Sequence, residues 1–213
     1  MNIYKEIETY GIVPVIAIDD VDAALPLADA LIEGGLPIAE ITFRTKAAPK
    51  VIETIGRCRP EILLGAGTVL NENQMQTAKS AGAAFSLSPG LDLELVRYSK
   101  SQKMAFIPGI MTPSDLMRGI NLDCQMFKFF PAGASGGPKL LRSIAAPFMH
   151  LNIGFNPTGG VSLKNLSEWL TTPGVKAVGG TWIATKQDIA NKNWKKITQN
   201  ARQAVEAVAM VRD

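Results

Sequence analysis

The chain has 213 residues, of which 46% are hydrophobic and 19% are charged, and its formal net charge is +3. This is the balance of an ordinary globular domain, and no Lys/Arg cluster indicates a nucleic-acid-binding protein. The mild positive charge suits a small anionic substrate. No linker or low-complexity tract interrupts the chain, so we predict a single domain over residues 1–213.

The cysteine and histidine content and the N-terminal sequence exclude further classes of protein. Cys58 and Cys124 lie far apart in sequence, which predicts reduced thiols in a cytoplasmic protein. His150 is the single histidine, which excludes the common multi-histidine sites, and we expect no metal or other cofactor. The polar N-terminus does not resemble a signal peptide, and no apolar run reaches transmembrane length.

Apolar runs alternate with amphipathic stretches along the whole chain, after a short helix predicted at residues 1–10. We predict strands, in chain order, at 12–18, 38–43, 62–66, 83–87, 104–107, 126–130, 150–155 and 175–178. We predict the helices that follow them at 21–33, 47–57, 71–81, 91–100, from 112, 138–145, 162–170 and 190–211. Capping residues mark three of the helix starts: Asp19-Asp20, Asn71 and Thr112-Pro113.

Eight strand–helix units in succession imply an α/β protein with a parallel sheet. Because the predicted strands are nearly all apolar, both faces of that sheet are expected to be buried. An open doubly wound sheet and a closed (β/α)8 TIM barrel both satisfy these observations. The count of eight units favours the barrel.

The predicted sixth strand carries a lysine inside an apolar run, Met126-Phe127-Lys128-Phe129-Phe130. Lys128 either lies on a polar strand face, with its ammonium group reaching water, or is buried. Burial disfavours the charged form of a lysine, and a neutral lysine amine can form a Schiff base with a ketone. The strand taken alone leaves both interpretations open.

The second predicted strand ends in Glu40-Ile41-Thr42-Phe43-Arg44, where a barrel would carry its active site. Side-chain alternation in a strand puts Glu40, Thr42 and Arg44 on one face. A carboxylate and a guanidinium on the interior face either form a structural ion pair or serve a ligand. We predict that Glu40 carries a proton and that Arg44 holds a substrate carboxylate.

Glycine pairs flanked by threonine follow the last two predicted strands. They are Gly159-Gly160, preceded by Thr158, and Gly179-Gly180, followed by Thr181. Ordinary tight turns also use such glycines, but exposed backbone N–H groups in the last two loops of a barrel suit a phosphate. The third strand ends in a further glycine motif that leads to the hydroxyl of Thr68.

Together these motifs resemble those of the bacterial 2-keto-3-deoxy-6-phosphogluconate (KDPG) aldolases, also called 4-hydroxy-2-oxoglutarate (KHG) aldolases. The resemblance covers essentially the whole chain. The motifs that carry it are Val13-Pro14-Val15-Ile16, Glu40-Ile41-Thr42-Phe43-Arg44-Thr45, Gly65-Ala66-Gly67-Thr68-Val69-Leu70, Phe85-Ser86-Leu87-Ser88-Pro89-Gly90, Ile107-Pro108-Gly109, Phe127-Lys128-Phe129-Phe130-Pro131-Ala132, Pro157-Thr158-Gly159-Gly160 and Gly179-Gly180-Thr181-Trp182.

The resemblance implies a (β/α)8 barrel, a homotrimer and metal-free class I aldol chemistry. KDPG would be cleaved to pyruvate and glyceraldehyde 3-phosphate, and KHG to pyruvate and glyoxylate. Lys128 would form the imine, Glu40 would be the general acid and base, and Arg44 and Thr68 would hold the carboxylate, with Thr158 nearby. The phosphate contacts implied by the resemblance lie in the last two loops: Gly159, Gly160, Gly179, Gly180 and Thr181.

The chain departs from the family pattern at two positions. Thr181 stands where serine is expected and keeps the hydroxyl group, and Gly133 stands where glutamate is expected. Two other functions stay open on the residues alone. One is a sugar-phosphate isomerase or epimerase that uses Glu40 as its base, and the other is a catalytically silent barrel that binds phosphorylated metabolites.

Overall fold

Strands and helices alternate throughout the computed structural model, which describes residues 2–212. The strands are β1 (Ile12–Ile16), β2 (Ile38–Thr42), β3 (Leu63–Gly67), β4 (Phe85–Leu87), β5 (Ala105–Ile107), β6 (Gly109–Ile110), β7 (Met126–Phe129), β8 (Gly154–Pro157) and β9 (Val178–Gly180). The helices are α1 (Ile3–Tyr10), α2 (Ala24–Glu33), α3 (Ala48–Cys58), α4 (Glu72–Ser80), α5 (Leu93–Ser101), α6 (Pro113–Ile120), α7 (Gly137–Ala145), α8 (Leu166–Leu170), α9 (Lys186–Ala190) and α10 (Trp194–Arg212). Met1 and Asp213, the two ends of the predicted domain, lie outside the described residues.

The strands form parallel sheets, as the sequence predicts for an α/β protein. One curled sheet has the strand order β5–β4–β3–β2–β1–β9, and a second has the order β6–β7–β8. Two isolated parallel bridges, Phe155 to Val175 and Thr158 to Gly179, join the β8 and β9 segments. Because the carboxyl ends of parallel strands meet at one edge, the side chains at these ends are brought together.

Burial explains why these segments form strands. Every residue of β1, β2 and β3 is buried, so both faces of this sheet are covered. The predicted helix starts at Asn71 and Thr112 are confirmed. The Asn71 side chain accepts a hydrogen bond from the Gln74 N–H, and Thr112 forms a capping box with Asp115.

The last two strands differ from the prediction. Residues predicted as a strand from His150 form a 3-10 turn, and Asn152 then adopts a left-handed conformation with φ of 52°, so β8 begins only at Gly154. The predicted strand at 175–178 is also displaced toward the C-terminus, because Val175 makes only one isolated bridge. The sequence predicts that Gly179 and Gly180 follow the strand, but they lie inside β9, where neighbouring side chains fill their space.

The C-terminal region also differs in detail. The helix predicted at 162–170 begins as a 3-10 turn at Leu163–Asn165 before α8, and α9 occupies part of the segment that the sequence predicts as a loop. None of the helices in residues 2–212 combines the length and apolar character needed to cross a membrane.

Asp188, on α9, is a buried carboxylate that stabilises this region. It accepts hydrogen bonds from the Thr185 hydroxyl at 2.7 Å, the Lys196 ammonium at 2.9 Å and the Asn193 amide at 3.1 Å. These contacts, that of Thr185 first, lower the pKa of Asp188 from 3.8 to about 2. A pKa that is lower in the folded than in the unfolded chain stabilises the fold above pH 4, and this stabilisation is lost as the pH falls from about 4 to about 2.

We therefore expect Asp188→Asn to reduce the free energy of unfolding by about 2 kcal/mol at pH 7 and by about half as much at pH 3, which lies between the two pKa values. Urea unfolding at the two pH values measures both quantities. Glu206→Gln, at an exposed position of α10, is the matched control and should change neither. An equal loss at both pH values would show that packing, and not the charge of Asp188, is responsible.

Candidate active site

The structure brings together Lys128 of β7 and Glu40 of β2, which belong to different sheets. They lie 88 residues apart in sequence, and the Lys128 Nζ donates to Glu40 Oε1 at 3.2 Å. Lys128 is only 5% exposed and Glu40 is fully buried. The lysine therefore does not extend into water, and a buried amine and a buried carboxyl group stand within proton-transfer distance.

A glycine on the neighbouring strand makes room for the Glu40 carboxyl group. Gly67 ends β3 and lies beside Thr42, the last residue of β2. A Cβ atom at Gly67 would overlap Glu40 Oε1. The glycine motif after the third strand therefore gives space to a side chain of the protein, in addition to forming a turn.

Lys128 itself is flanked by two different neighbours. In the strand register it lies between Gly109 of β6, which has no side chain, and Asn156 of β8. The Phe130 ring, 36% exposed, has its centroid 5.6 Å from the Lys128 Nζ. The Pro89 backbone fills the space beside Gly109, so the amine has a polar side-chain neighbour in the register only at Asn156, and an aromatic ring toward solvent.

Arg44 lies at the exposed edge of this cluster, above the buried Glu40 and Thr42. Its Nε donates to Thr42 Oγ1 at 3.3 Å, and the Thr42 hydroxyl donates to the Ile16 carbonyl at 2.9 Å. Within residues 2–212, no carboxylate forms a salt bridge with Arg44. The alternative of a structural ion pair between Glu40 and Arg44 is therefore not observed.

Thr68 has a strained backbone at the end of β3. Its φ of 56° is in the left-handed region, which a β-branched residue rarely adopts. Such strain commonly occurs at functional sites. The half-buried Thr68 therefore has a conformation that its own side chain does not favour.

Thr158 packs on Gly179, in the interior of the sheet. Thr158 is 3% exposed, and a Cβ atom at Gly179 would overlap its hydroxyl. Gly180 is likewise covered by the Trp182 ring. Both glycines are buried within β9, whereas the following Thr181 is exposed.

The other glycine pair lies in the loop after β8. Gly159 and Gly160 have φ values of 91° and 83°, which favour glycine. The Gly159 carbonyl accepts from the Gly133 N–H at 2.7 Å, and the Gly160 carbonyl accepts from Asn165 Nδ2 at 3.0 Å. The two carbonyls are therefore held in place.

Gly133, where the chain departs from the family pattern, contacts this same loop. A Cβ atom at this position would lie 3.2 Å from the Gly160 Cα. The missing side chain thus permits a close approach between the loop after Lys128 and the glycine pair.

Comparison with known proteins shows the family to which the chain belongs. The family model of the KDPG and KHG aldolases matches residues 3–200. The chain belongs to this aldolase family. The sequence-based identification of the family is thereby confirmed.

Individual members of the family are similar over nearly their whole lengths. The 2-dehydro-3-deoxy-phosphogluconate aldolase of Pseudoalteromonas atlantica is 45% identical, covering 93% of this chain and 91% of that protein. The KHG/KDPG aldolase of Escherichia coli K12 is 40% identical, covering 95% and 94%. A crystal structure of KDPG aldolase from Legionella pneumophila, with pyruvate captured at low pH as a covalent carbinolamine intermediate, has a TM-score of 0.91 at 38% identity, covering 96% of this chain and 98% of that one.

A cavity of about 390 Å³ lies outside the aldolase-family site. Its lining includes Asp19, Lys186 and Trp194, and the Lys186 Nζ to Asp19 Oδ2 distance is 2.6 Å. None of the buried side-chain atoms that lack a partner in residues 2–212 belongs to this lining. No unpaired buried polar atom of the described residues therefore points to a ligand in this cavity.

Three residues around Lys128 are not predicted from the sequence as part of the site. They are Gly67, Phe130 and Asn156. Asn156 has the same signal as Lys128, a polar residue in an apolar strand. Asn156 is not predicted as a site residue because the strand predicted from the sequence ends at Phe155, whereas β8 extends to Pro157.

Proposed function

We propose that the protein is a class I aldolase that cleaves KDPG to pyruvate and glyceraldehyde 3-phosphate. The observation that carries this proposal is the buried Lys128–Glu40 pair, with its Nζ to Oε1 distance of 3.2 Å. The names of the relatives support the substrate, and the carbinolamine in the Legionella enzyme supports the covalent route. Cleavage of KHG to pyruvate and glyoxylate is proposed as a second activity, since the Escherichia coli relative is named for both substrates.

In the first stage, the neutral Lys128 amine attacks the C2 ketone of the keto acid. The N–C bond forms, the carbonyl electron pair moves to the oxygen, and this oxygen takes up a proton to give a carbinolamine. The carbinolamine loses water to give an iminium ion, which can accept an electron pair. Glu40 is within hydrogen-bond reach of the amine and can move the protons.

In the second stage, Glu40 takes the proton of the C4 hydroxyl group, directly or through one water molecule. The C3–C4 bond breaks, its electron pair moves toward the iminium ion, and glyceraldehyde 3-phosphate leaves. The remaining enamine is protonated at C3 by the acid form of Glu40. Hydrolysis of the iminium ion then releases pyruvate and regenerates the lysine amine.

The substrate's two anionic ends are assigned to opposite sides of Lys128. Arg44, Thr68 and Thr158 hold the carboxylate in this proposal. It is supported by the strained backbone of Thr68 and by the Arg44 guanidinium, which forms no salt bridge within residues 2–212. The phosphate is assigned to the loop after β8, at Gly159 and Gly160, and to the carboxyl end of β9, at Gly179, Gly180 and the following Thr181. Binding energy from the phosphate, far from the reacting bond, orients C3 and C4.

The finer architecture belongs to the same proposal. We infer one domain whose two sheets close into a (β/α)8 barrel, through the bridge from Thr158 to Gly179 and through the direct succession of β5 and β6. Self-association as a homotrimer rests on the family resemblance, and sedimentation velocity tests it. A phosphorylated substrate and the free thiols of Cys58 and Cys124 suit the cytoplasm.

The decisive test is turnover of KDPG, with pyruvate detected through lactate dehydrogenase and NADH. We expect kcat/KM for KDPG to exceed that for unphosphorylated 2-keto-3-deoxygluconate by at least about 100-fold, because the phosphate contributes binding energy. A protein that binds KDPG without releasing pyruvate would be the catalytically silent barrel. A protein that converts sugar phosphates without releasing pyruvate would be the isomerase.

A further inference from the structure

Asn156 is a buried amide next to Lys128 with an unused hydrogen-bond donor. The side chain is fully buried, and its Oδ1 accepts from the Thr158 hydroxyl at 3.3 Å. Its Nδ2 has no partner among residues 2–212. Burying a polar group without a hydrogen-bond partner is unfavourable, so this donor calls for an explanation.

The strand register places Asn156 on the same face as Lys128. The two residues are paired in the parallel register of β7 and β8, whose backbones lie about 4.8 Å apart. Thr158, two residues further on, has the same orientation because side chains alternate, and it packs on Gly179 in the interior. Since Gly109 on the other side has no side chain, Asn156 provides the neighbouring polar group.

A second buried atom with complementary chemistry also lacks a partner. Glu40 binds the Lys128 Nζ through Oε1, while its Oε2 has no partner in the described residues. The Ser86 hydroxyl also lacks a partner in the described residues, but it faces away from Glu40. Ser86 is in register with Ala66, which is in register with Ile41, the residue after Glu40. Consecutive residues of a strand point to opposite faces, so Ser86 lies on the face opposite to Glu40. The unpaired acceptor of Glu40 and the unpaired donor of Asn156 thus share the interior face with the lysine amine.

We propose that Asn156 Nδ2 and Glu40 Oε2 together hold the C2 oxygen of the keto acid. This assignment rests on the proposed Schiff-base function. The oxygen begins as a carbonyl that accepts a hydrogen bond from Nδ2. It becomes the carbinolamine hydroxyl, which accepts from Nδ2 and donates to Oε2, so one atom satisfies both unpaired groups.

The two groups have different roles as this oxygen departs. When Lys128 attacks C2, negative charge develops on the oxygen, and the amide donor stabilises it. Glu40 carries the proton that the amine loses and returns it to the hydroxyl group. The C–O bond then breaks, the nitrogen lone pair forms the C=N bond, and the oxygen leaves as water. Because an amide does not lose its protons at neutral pH, Asn156 remains a donor throughout, while Glu40 alternates between its two forms.

Three substitutions separate this role from a structural one. Asn156→Asp keeps the shape and the acceptor for Thr158 but removes the donor. Asn156→Leu is of similar volume and removes both functions. Asn156→Ser retains a smaller hydroxyl donor. Each variant is mixed with pyruvate alone, and the imine is measured over time by borohydride trapping and intact-protein mass spectrometry, with thermal unfolding as the check on folding.

We expect the Asn156→Asp and Asn156→Leu variants to form the imine about 100-fold more slowly than the wild type at saturating pyruvate, as for removal of one oxyanion donor. The Asn156→Ser variant should be about tenfold faster than Asn156→Leu. The Asn156→Asp variant should approach the wild-type rate as the pH falls, because its new carboxyl group carries an O–H donor once it is protonated, whereas Asn156→Leu should show no such recovery. KM for the keto acid should change less than kcat.

The outcomes distinguish this assignment from the proposed function. If the wild type traps no pyruvate, the Schiff-base function itself is wrong. If the wild type traps pyruvate and the folded Asn156→Asp and Asn156→Leu variants do so at the same rate, Asn156 does not hold the C2 oxygen. Slower trapping without acid recovery in Asn156→Asp would also contradict the donor role. Should Asn156→Leu fail to fold, the pH profile of the isosteric Asn156→Asp variant decides the question.

Discussion

Lys128→Met is expected to abolish aldol cleavage, with kcat reduced at least about 10⁴-fold, as for loss of a covalent nucleophile. Methionine keeps most of the volume of the buried stem and cannot form an imine. Borohydride with pyruvate should label the wild-type protein on the peptide that contains Lys128 and leave the variant unlabelled. Cleavage is measured through lactate dehydrogenase.

The control for this variant must separate chemistry from folding. Removing the Lys128 nitrogen leaves Glu40, which is fully buried, without its partner, and the loss of one member of a buried pair costs about 3–5 kcal/mol unless the carboxyl group takes up a proton. Thermal unfolding should therefore accompany the assay. Lys139→Met, at an exposed position of α7, is the matched control and should keep full activity. A folded Lys128→Met protein that still traps pyruvate would refute the assignment of the imine to this residue.

The second large effect is expected at the carboxyl group that contacts the amine. Glu40→Gln keeps a side chain of the same shape over Gly67 but cannot accept and return a proton. We expect kcat for KDPG to fall about 10²–10⁴-fold, the usual contribution of general acid–base catalysis. The Lys128 amine remains in this variant, so slow trapping of pyruvate should persist while cleavage is nearly lost.

Gly67→Ala tests the same carboxyl group from the neighbouring strand. The added Cβ atom would overlap Glu40 Oε1 and must displace it from the lysine amine. We expect a loss of about 100-fold in kcat, since small displacements of catalytic groups have effects of this size. Gly56→Ala, where the nearest neighbour of the new Cβ atom would be Leu64 Cδ1 at 3.6 Å, is the control and should remain active. Full activity of Gly67→Ala would mean that the position of the Glu40 carboxyl group is not critical.

Much of the architecture can be predicted from the sequence, because the patterns that indicate strands and helix starts are local. Apolar runs that alternate with amphipathic stretches predict parallel strands and helices, and capping residues such as Asn71 and Thr112 mark helix starts at their own positions. The errors occur where tertiary contacts override local preference. Gly179 and Gly180 act as strand residues because Thr158 and Trp182 cover them, which no local pattern reveals.

The candidate site, too, can be predicted only in part from the sequence. Lys128 in an apolar strand, and Glu40 and Arg44 on alternating positions, are visible in the sequence, and the motifs around them identify the family. Their mutual arrangement is not visible. The sequence pattern predicts Arg44 on the interior face with Glu40, yet Arg44 lies exposed at the edge of the cluster. The reason is that side-chain alternation predicts the face of the strand on which a residue lies and does not predict how deeply that residue is buried.

The residue types in the sequence therefore determine the chemistry of the site, while its geometry depends on the fold. Lys128 alone is compatible with a lysine that reaches water. Only the packing of the two sheets brings its amine to 3.2 Å from Glu40, over the space left by Gly67, and only the register of β7 and β8 sets the Asn156 amide beside it. The physical reason is that periodicity is a property of neighbouring residues, whereas register and burial are set by contacts between segments far apart in the chain.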